Sequence, residues 1–161
     1  MEWVGGVVDQ LQSSSASQQR KAPSTLADAA EQCPETREHI GKLPGAIAGL
    51  VALLSSGDTA VQQNAAHALA CLARDTPANE DGIAAEPGAI EGLTALLFSR
   101  EAGEHVTDAQ VAAAKAMVHL TAGCAANRAR IGKEPAAVTG LVALLKQQRA
   151  TCAVGSSHCP V

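Results

Sequence analysis

The chain has 161 residues, of which 47% are apolar and 17% are charged, and its formal net charge is −4 at pH 7. This composition favours a folded domain over a disordered chain, and the acidic balance argues against a nucleic-acid partner. Trp3 and Phe98 are the only aromatic residues, so the core must consist of Leu, Val, Ile and Ala.

The sequence contains no recognisable targeting or membrane signal. MEWVGGVVDQL has an acidic second residue and no basic cluster, so no secretory signal is predicted. No run reaches the roughly 18 to 20 apolar residues that a membrane-spanning helix needs. The five cysteines are odd in number and mostly lie within helical patterns. This cysteine usage favours a reducing, intracellular compartment, the cytoplasm or the nucleus.

The predicted elements begin with a helix in VGGVVDQL, which is followed by a helical pattern that contains Pro23. A proline inside a helix removes a hydrogen bond, so Pro23 is expected to break or kink this helix or to mark its start. Next comes the short helix PETREHIGK, in which Pro34 occupies the first turn, where proline is tolerated.

Two further helices complete this first full unit. AIAGLVALL places four apolar residues on one helical stripe, and Asp58 is a candidate N-cap for TAVQQNAAHALACLAR. The apolar stripe consists of Ile47, Leu50, Val51 and Leu54.

This order of elements recurs along the chain. PGAIAGLVALL at 44–54 has near copies, PGAIEGLTALL at 87–97 and PAAVTGLVALL at 135–145, at offsets of 43 and 48 residues. The five extra residues of the second offset fall in the polar stretch 99–105, which is predicted to be a lengthened loop. None of these helices can bury its stripe alone, so the units must stack.

The pattern predicts an all-α repeat fold with two full repeats and a partial repeat at each end. The tail contains Gly, Ser and Pro and no apolar stripe, so it is predicted to be disordered. The predicted divisions are a partial unit at 4–33, repeats at 34–75 and 76–123, a partial unit at 124–149 and the tail at 150–161.

The order GAIAGLVALLSSGD, VQQNAAHALACLA and P-x-N/T-x-x-x-I resembles the armadillo repeat of β-catenin, importin-α and plant U-box armadillo proteins. The resemblance covers about residues 4–149. It implies a right-handed α-solenoid whose third helices line a concave groove that holds an extended partner segment. In importin-α, tryptophan and asparagine ladders on these helices bind the peptide. Here the tryptophan slots hold Ser24, His67 and Lys115, and the asparagine slots hold Asp28, Cys71 and His119.

Because neither ladder is present, binding of basic nuclear-localisation peptides in the importin-α manner is not expected. The function predicted from the resemblance is a protein-interaction scaffold or adaptor module. An alternative interpretation is that the candidate residues are solvated positions on a helix flank. The candidate partner-binding residues are Ser24, Asp28, His67, Cys71, Arg74, Lys115 and His119.

No metal, cofactor or catalytic site is predicted. His67 and Cys71 could supply two ligands from one helix, but a closed zinc site needs four, and no C-x-x-C or H-E-x-x-H motif occurs. Asp28, Cys71 and His119 lie in equivalent slots of successive units, too far apart for a catalytic triad. There is also no phosphate-binding G-x-x-x-x-G-K-[ST] motif. The chain is therefore predicted not to be an enzyme.

The last unit has no predicted third helix, so its apolar stripe is expected to lack one side of its packing. Three alternatives remain open for this end: a structural subunit that assembles through its uncapped repeat ends, a fragment of a longer armadillo protein, or an end covered by the tail or by a partner. The stripe consists of Val138, Leu141, Val142 and Leu145.

Overall fold

The computed structural model describes the backbone of residues 2–13, 15–99 and 106–155, and the side chains of residues 3–13, 15–99 and 106–146. Within these ranges all secondary-structure elements are helices and no strand occurs, as predicted. The helices are α1 (Glu2–Leu11), α2 (Ala16–Gln32), α3 (Pro34–Lys42), α4 (Ala46–Leu53), α5 (Thr59–Ala73), α6 (Pro77–Ala85), α7 (Ala89–Leu97), α8 (Asp108–Ala122), α9 (Ala125–Gly132) and α10 (Pro135–Gly155).

The helices form repeating units, and helices of one kind stack on one another. The first helices of the units are α3, α6 and α9, the second are α1, α4, α7 and α10, and the third are α2, α5 and α8. The third helix α5 packs against both α2 and α8, and the second helix α7 packs against α10. The predicted all-α repeat solenoid is therefore confirmed.

Local signals account for the starts of five of the described helices. Pro34 and Pro77 occupy the first turns of α3 and α6, where the missing amide hydrogen is not needed. Gly45 precedes α4 in a left-handed conformation with φ 79°, which glycine adopts without steric cost. The carboxylate of Asp58 accepts a hydrogen bond from the Ala60 amide at 3.0 Å, and Thr107 forms a capping box at the start of α8.

Two features differ from the expectations drawn from the sequence. Pro23 neither breaks α2 nor marks its start, because the helix begins seven residues earlier, at Ala16, and ends at Gln32. The ring of Pro23 is fully buried, and this burial offsets the lost backbone hydrogen bond. At the other end α10 continues to Gly155, so 150–155 are helical where a disordered tail was predicted. The rest of that tail, 156–161, lies outside the described residues.

Although α10 has 21 residues, neither it nor any other described helix is long and apolar enough to cross a membrane.

Successive second helices approach each other through a leucine that packs against a glycine. A Cβ atom added to each glycine would lie only 2.9 to 3.1 Å from the nearest atom of the leucine in the preceding second helix. Because these distances are shorter than ordinary carbon–carbon contacts, only glycine allows the helices this spacing. The three pairs are Leu11 with Gly49, Leu54 with Gly92 and Leu97 with Gly140.

A buried amide also ties neighbouring units together. The Nδ2 atom of Asn79, in α6, donates to the carbonyl oxygen of Arg37 at 2.8 Å and to that of Leu72 at 2.9 Å. Asn79 is buried, so these bonds satisfy a polar group that would otherwise be costly to remove from water. One side chain thus joins α6 to α3 and α5.

We expect Gly92→Ala to lower the free energy of unfolding by about 1–2 kcal/mol, because the added methyl group would overlap Leu54 and outweigh the gain in helix propensity. Gly6→Ala is the matched control: Gly6 occupies the same slot of α1, where nothing lies within 4 Å of an added Cβ atom. This control should raise the free energy of unfolding by about 0.5–1 kcal/mol. Urea denaturation followed by circular dichroism measures both changes, and equal stabilisation of the two variants would contradict the packing argument.

Candidate partner-binding surface

The third helices α2, α5 and α8 lie side by side, which brings some of the predicted site residues together. His67 of α5 and Lys115 of α8 line one cleft, and Lys115 and His119 line a second cavity. On α2, Ser24 is half-buried and Asp28 is exposed, but neither of them lines these two cavities. Arg74, the C-cap of α5, is half-buried.

The cleft between α5 and α8 is polar and has a volume of about 230 Å³. From α5 it is lined by Gln63, Asn64 and His67, and from α8 by Asp108, Val111, Ala112 and Lys115. Carboxylate, amide, imidazole and ammonium groups therefore surround one opening, which can bind both donors and acceptors of a partner backbone.

The second cavity lies between α8 and α10 and is larger, at about 450 Å³, and mostly apolar. We call it the α8–α10 cavity. Its size falls within the range of ligand-binding pockets. Val118 on α8 is 60% exposed and Leu145 on α10 is 62% exposed. The lining consists of Val106, Val111, Ala114, Lys115, Val118, His119, Leu141, Leu144 and Leu145.

Cys71 is buried, with 6% of its surface exposed, whereas the repeat pattern predicted that it lies on an open partner-binding face. Its Sγ atom lies 3.5 Å from Glu31 Oε1 on α2 and 3.7 Å from His67 Nε2 one turn away. The small alanines of the third helices let α2 and α8 pack closely against α5, and this packing covers the thiol. Cys71 therefore belongs to the interface between helices and contributes little surface to a partner.

The environment of Cys71 holds its thiol in the neutral form. Burial, and then the negative charge of Glu31, raise the pKa of Cys71 from its ordinary value of 9.0 to about 11. The positive charges of Arg74 and Lys115 oppose this shift but do not cancel it. The thiol is therefore an unreactive hydrogen-bonding group at neutral pH.

Glu31, His67 and Cys71 form the one group of potential metal ligands found in the described part of the chain. Carboxylate, imidazole and thiolate are ligands that zinc accepts. A metal would have to displace the thiol proton, which burial and Glu31 hold in place, and it would face the positive charges of Arg74 and Lys115. The group therefore fits a hydrogen-bonded contact between α2 and α5 better than a metal site.

Sequence reasoning missed two important residues of this surface, although the repeat offsets point to both. Glu31 lies 43 residues before Arg74, in a slot that was already a candidate. Val118 lies 48 residues after Ala70, so it occupies the same slot of the next unit. By analogy with Ala70, this slot of α8 would have been assigned to the core. The repeat alignment locates such slots, but it does not show which of them remain exposed.

Comparison with known proteins supports the helical repeat fold. No protein-family model matches the sequence, and no curated protein matches it. The crystal structure of an engineered protein aligns with a TM-score of 0.80 and 30% identity over 90% of this chain and 56% of that one. A second engineered protein aligns with a TM-score of 0.74 and 29% identity over 83% of this chain and 31% of that one.

A designed armadillo repeat protein also aligns, with a TM-score of 0.42 and 22% identity over 88% of this chain and 74% of that one. Because the alignment with the engineered protein of TM-score 0.80 covers 56% of that protein, this chain spans about half of its length.

We expect Cys71 to react with iodoacetamide far more slowly than the half-buried thiols of Cys33 and Cys124. A rise in pKa from 9.0 to about 11 lowers the thiolate fraction at pH 8 about 100-fold, and the thiolate is the reactive form. Timed labelling of the native protein at pH 8, followed by peptide mass spectrometry, measures the three rates in one sample. Labelling of Cys71 as fast as Cys33 would contradict the burial and charge environment described here.

Proposed function

We propose that the chain is a non-enzymatic protein-interaction module of the armadillo type, which binds an extended segment of a partner protein across its third helices. The observation that carries this proposal is the side-by-side packing of α2, α5 and α8. This packing makes one continuous surface from helices of three units. Stacked repeats are well suited to such long binding surfaces.

The spacing of the third helices suits an extended chain. Packed helices lie about 8–10 Å apart, and an extended chain rises about 3.3 Å per residue. About every third residue of a bound segment would therefore meet a new third helix. Side chains in equivalent slots, such as His67 and Lys115, would contact successive positions of one partner segment.

The chemistry of the surface suggests what such a segment contains. Lys115 and Val111 line both the polar cleft and the α8–α10 cavity, so they join the two. An acidic residue above Lys115 would gain a favourable charge interaction, and backbone groups nearby would find donors and acceptors in Gln63 and Asn64. We therefore expect a mixed polar and acidic segment that becomes apolar beyond Lys115.

The proposal includes a reducing, intracellular setting, which the free thiols of Cys33, Cys71 and Cys124 support. A second candidate function is assembly through the end formed by α10, where Val138, Val142 and Leu145 are exposed. A contiguous apolar surface of this kind is typical of a contact site.

The double variant His67→Glu, Lys115→Glu should lose specific partners in affinity capture from lysate of the source cells, because it replaces the ammonium group of the cleft with a carboxylate and adds a second carboxylate beside it. The matched control is Ala52→Glu, Lys133→Glu, which changes the net charge equally at exposed positions away from the third helices. Circular dichroism checks that both variants keep their helical content. Partners that stay bound to the cleft variant as well as to the control would refute binding through this surface.

A further inference from the structure

We propose that the α8–α10 cavity binds an amphipathic helix, about 15 residues long, from a partner protein. We use the word seat for a binding position of this kind, which is formed by the third helix of one unit and the second helix of the next. This inference goes beyond the extended-segment proposal, because it concerns a folded helix on the apolar face at the end of the stack. The repeats themselves support this inference, since the same seat occurs twice more in the described part of the chain and is filled there.

The helices that occupy the two equivalent seats indicate what the α8–α10 cavity can bind. Helix α5 packs against α2 and α4, and α8 packs against α5 and α7. The next seat in this series is formed by α8 and α10, whose side chains line the cavity. It continues an interface that is already established within the molecule.

Equivalent residues change from buried to exposed at this seat. On the third helices, Ala27 and Ala70 are buried, but Val118 in the same slot is 60% exposed. On the second helices, Leu54 and Leu97 are buried, but Leu145 is 62% exposed. Covering these two side chains would remove apolar surface from water, which favours binding of an apolar partner surface.

A helix suits this lining better than an extended segment does. An extended segment pressed against the apolar side chains of Val118, Leu141 and Leu144 would leave backbone donors and acceptors without partners, which is costly. A helix satisfies its own backbone and presents only side chains to the seat. Both filled seats hold helices of 15 residues.

The two helices that fill the earlier seats define the expected chemistry of the partner. Each has small or branched apolar residues at positions i, i+4 and i+7, followed by larger ones at i+8 and i+11. These residues are buried in both helices. They are Val61, Ala65, Ala68, Leu69 and Leu72 in α5, and Ala109, Ala113, Ala116, Met117 and Leu120 in α8.

The described chain does not supply this helix to a second copy of itself without unfolding. The small faces of α5 and α8 are already buried in their own stack, as Ala65 and Ala113 show. A helix of a partner protein, and not of a second copy of this chain, is therefore the occupant that we propose.

A synthetic peptide with the sequence of residues 58–74, carrying Cys71→Ser to prevent oxidation, provides a direct probe. It contains α5 and its N-cap, Asp58. Fluorescence anisotropy of the labelled peptide, titrated with the full chain, measures binding. A scrambled peptide of the same composition controls for non-specific association.

We expect saturable binding of the peptide that Val118→Glu and Leu145→Glu each weaken at least tenfold, because each places a charge inside the seat. Trp3→Glu is the matched control, since Trp3 is exposed on α1 at the other end of the stack. It should change the affinity less than twofold. His67→Glu, which lies in the polar cleft and not in the seat, should also leave the affinity unchanged, so failure of this inference and failure of the extended-segment proposal can be distinguished.

Three results would overturn the inference. The first is no saturable binding of either this peptide or a peptide covering α8. The second is an equal loss of affinity in Val118→Glu and Trp3→Glu, with helicity unchanged in both. The third is a dimer in light scattering that Val118→Glu converts to a monomer, because a second copy would then occupy the seat.

Discussion

The contact between a leucine and a glycine on successive second helices sets the spacing on which the rest of the structure depends. Each leucine fits where the next helix has no side chain, so the helices approach more closely than any larger residue allows. The contact occurs at three successive interfaces and therefore holds the units in one register. Because each third helix packs on its own second helix, α2, α5 and α8 are brought side by side by the same constraint.

This register explains why two different surfaces lie next to each other on α8. Facing α5, the helix shares a cleft with another third helix, and most of the side chains that line this cleft are polar. Facing the other way, the helix presents a mostly apolar surface, where Val118 occupies a slot that is buried in earlier units. Lys115 and Val111 lie on the boundary between the two surfaces. A repeat architecture thus places a largely polar face and a mostly apolar face on a single helix.

The candidate site was partly predictable from the sequence. The repeat offsets predict that His67 and Lys115 lie on one surface, because equivalent positions on stacked helices face the same way. Both side chains line the same cleft. The same reasoning assumed that Cys71 would be open to a partner, but the neighbouring helices cover it. It also overlooked Glu31, whose carboxylate contacts both His67 and Cys71. Side-chain exposure depends on the size of residues about 40 positions away, which a single helix pattern does not contain.

The helices, their order and their repetition follow from the sequence alone, since apolar stripes, first-turn prolines and N-caps act within a few residues. Other features depend on contacts between units and are visible only in the folded chain. Burial of its ring allowed Pro23 to remain inside α2. Asn79 donates a hydrogen bond to the carbonyl oxygen of Arg37, 42 residues earlier in the chain. Val118 remained exposed although Ala70 in the same slot is buried. The physical reason is that burial is a property of neighbouring helices, and the local sequence specifies a helix but not what packs against it.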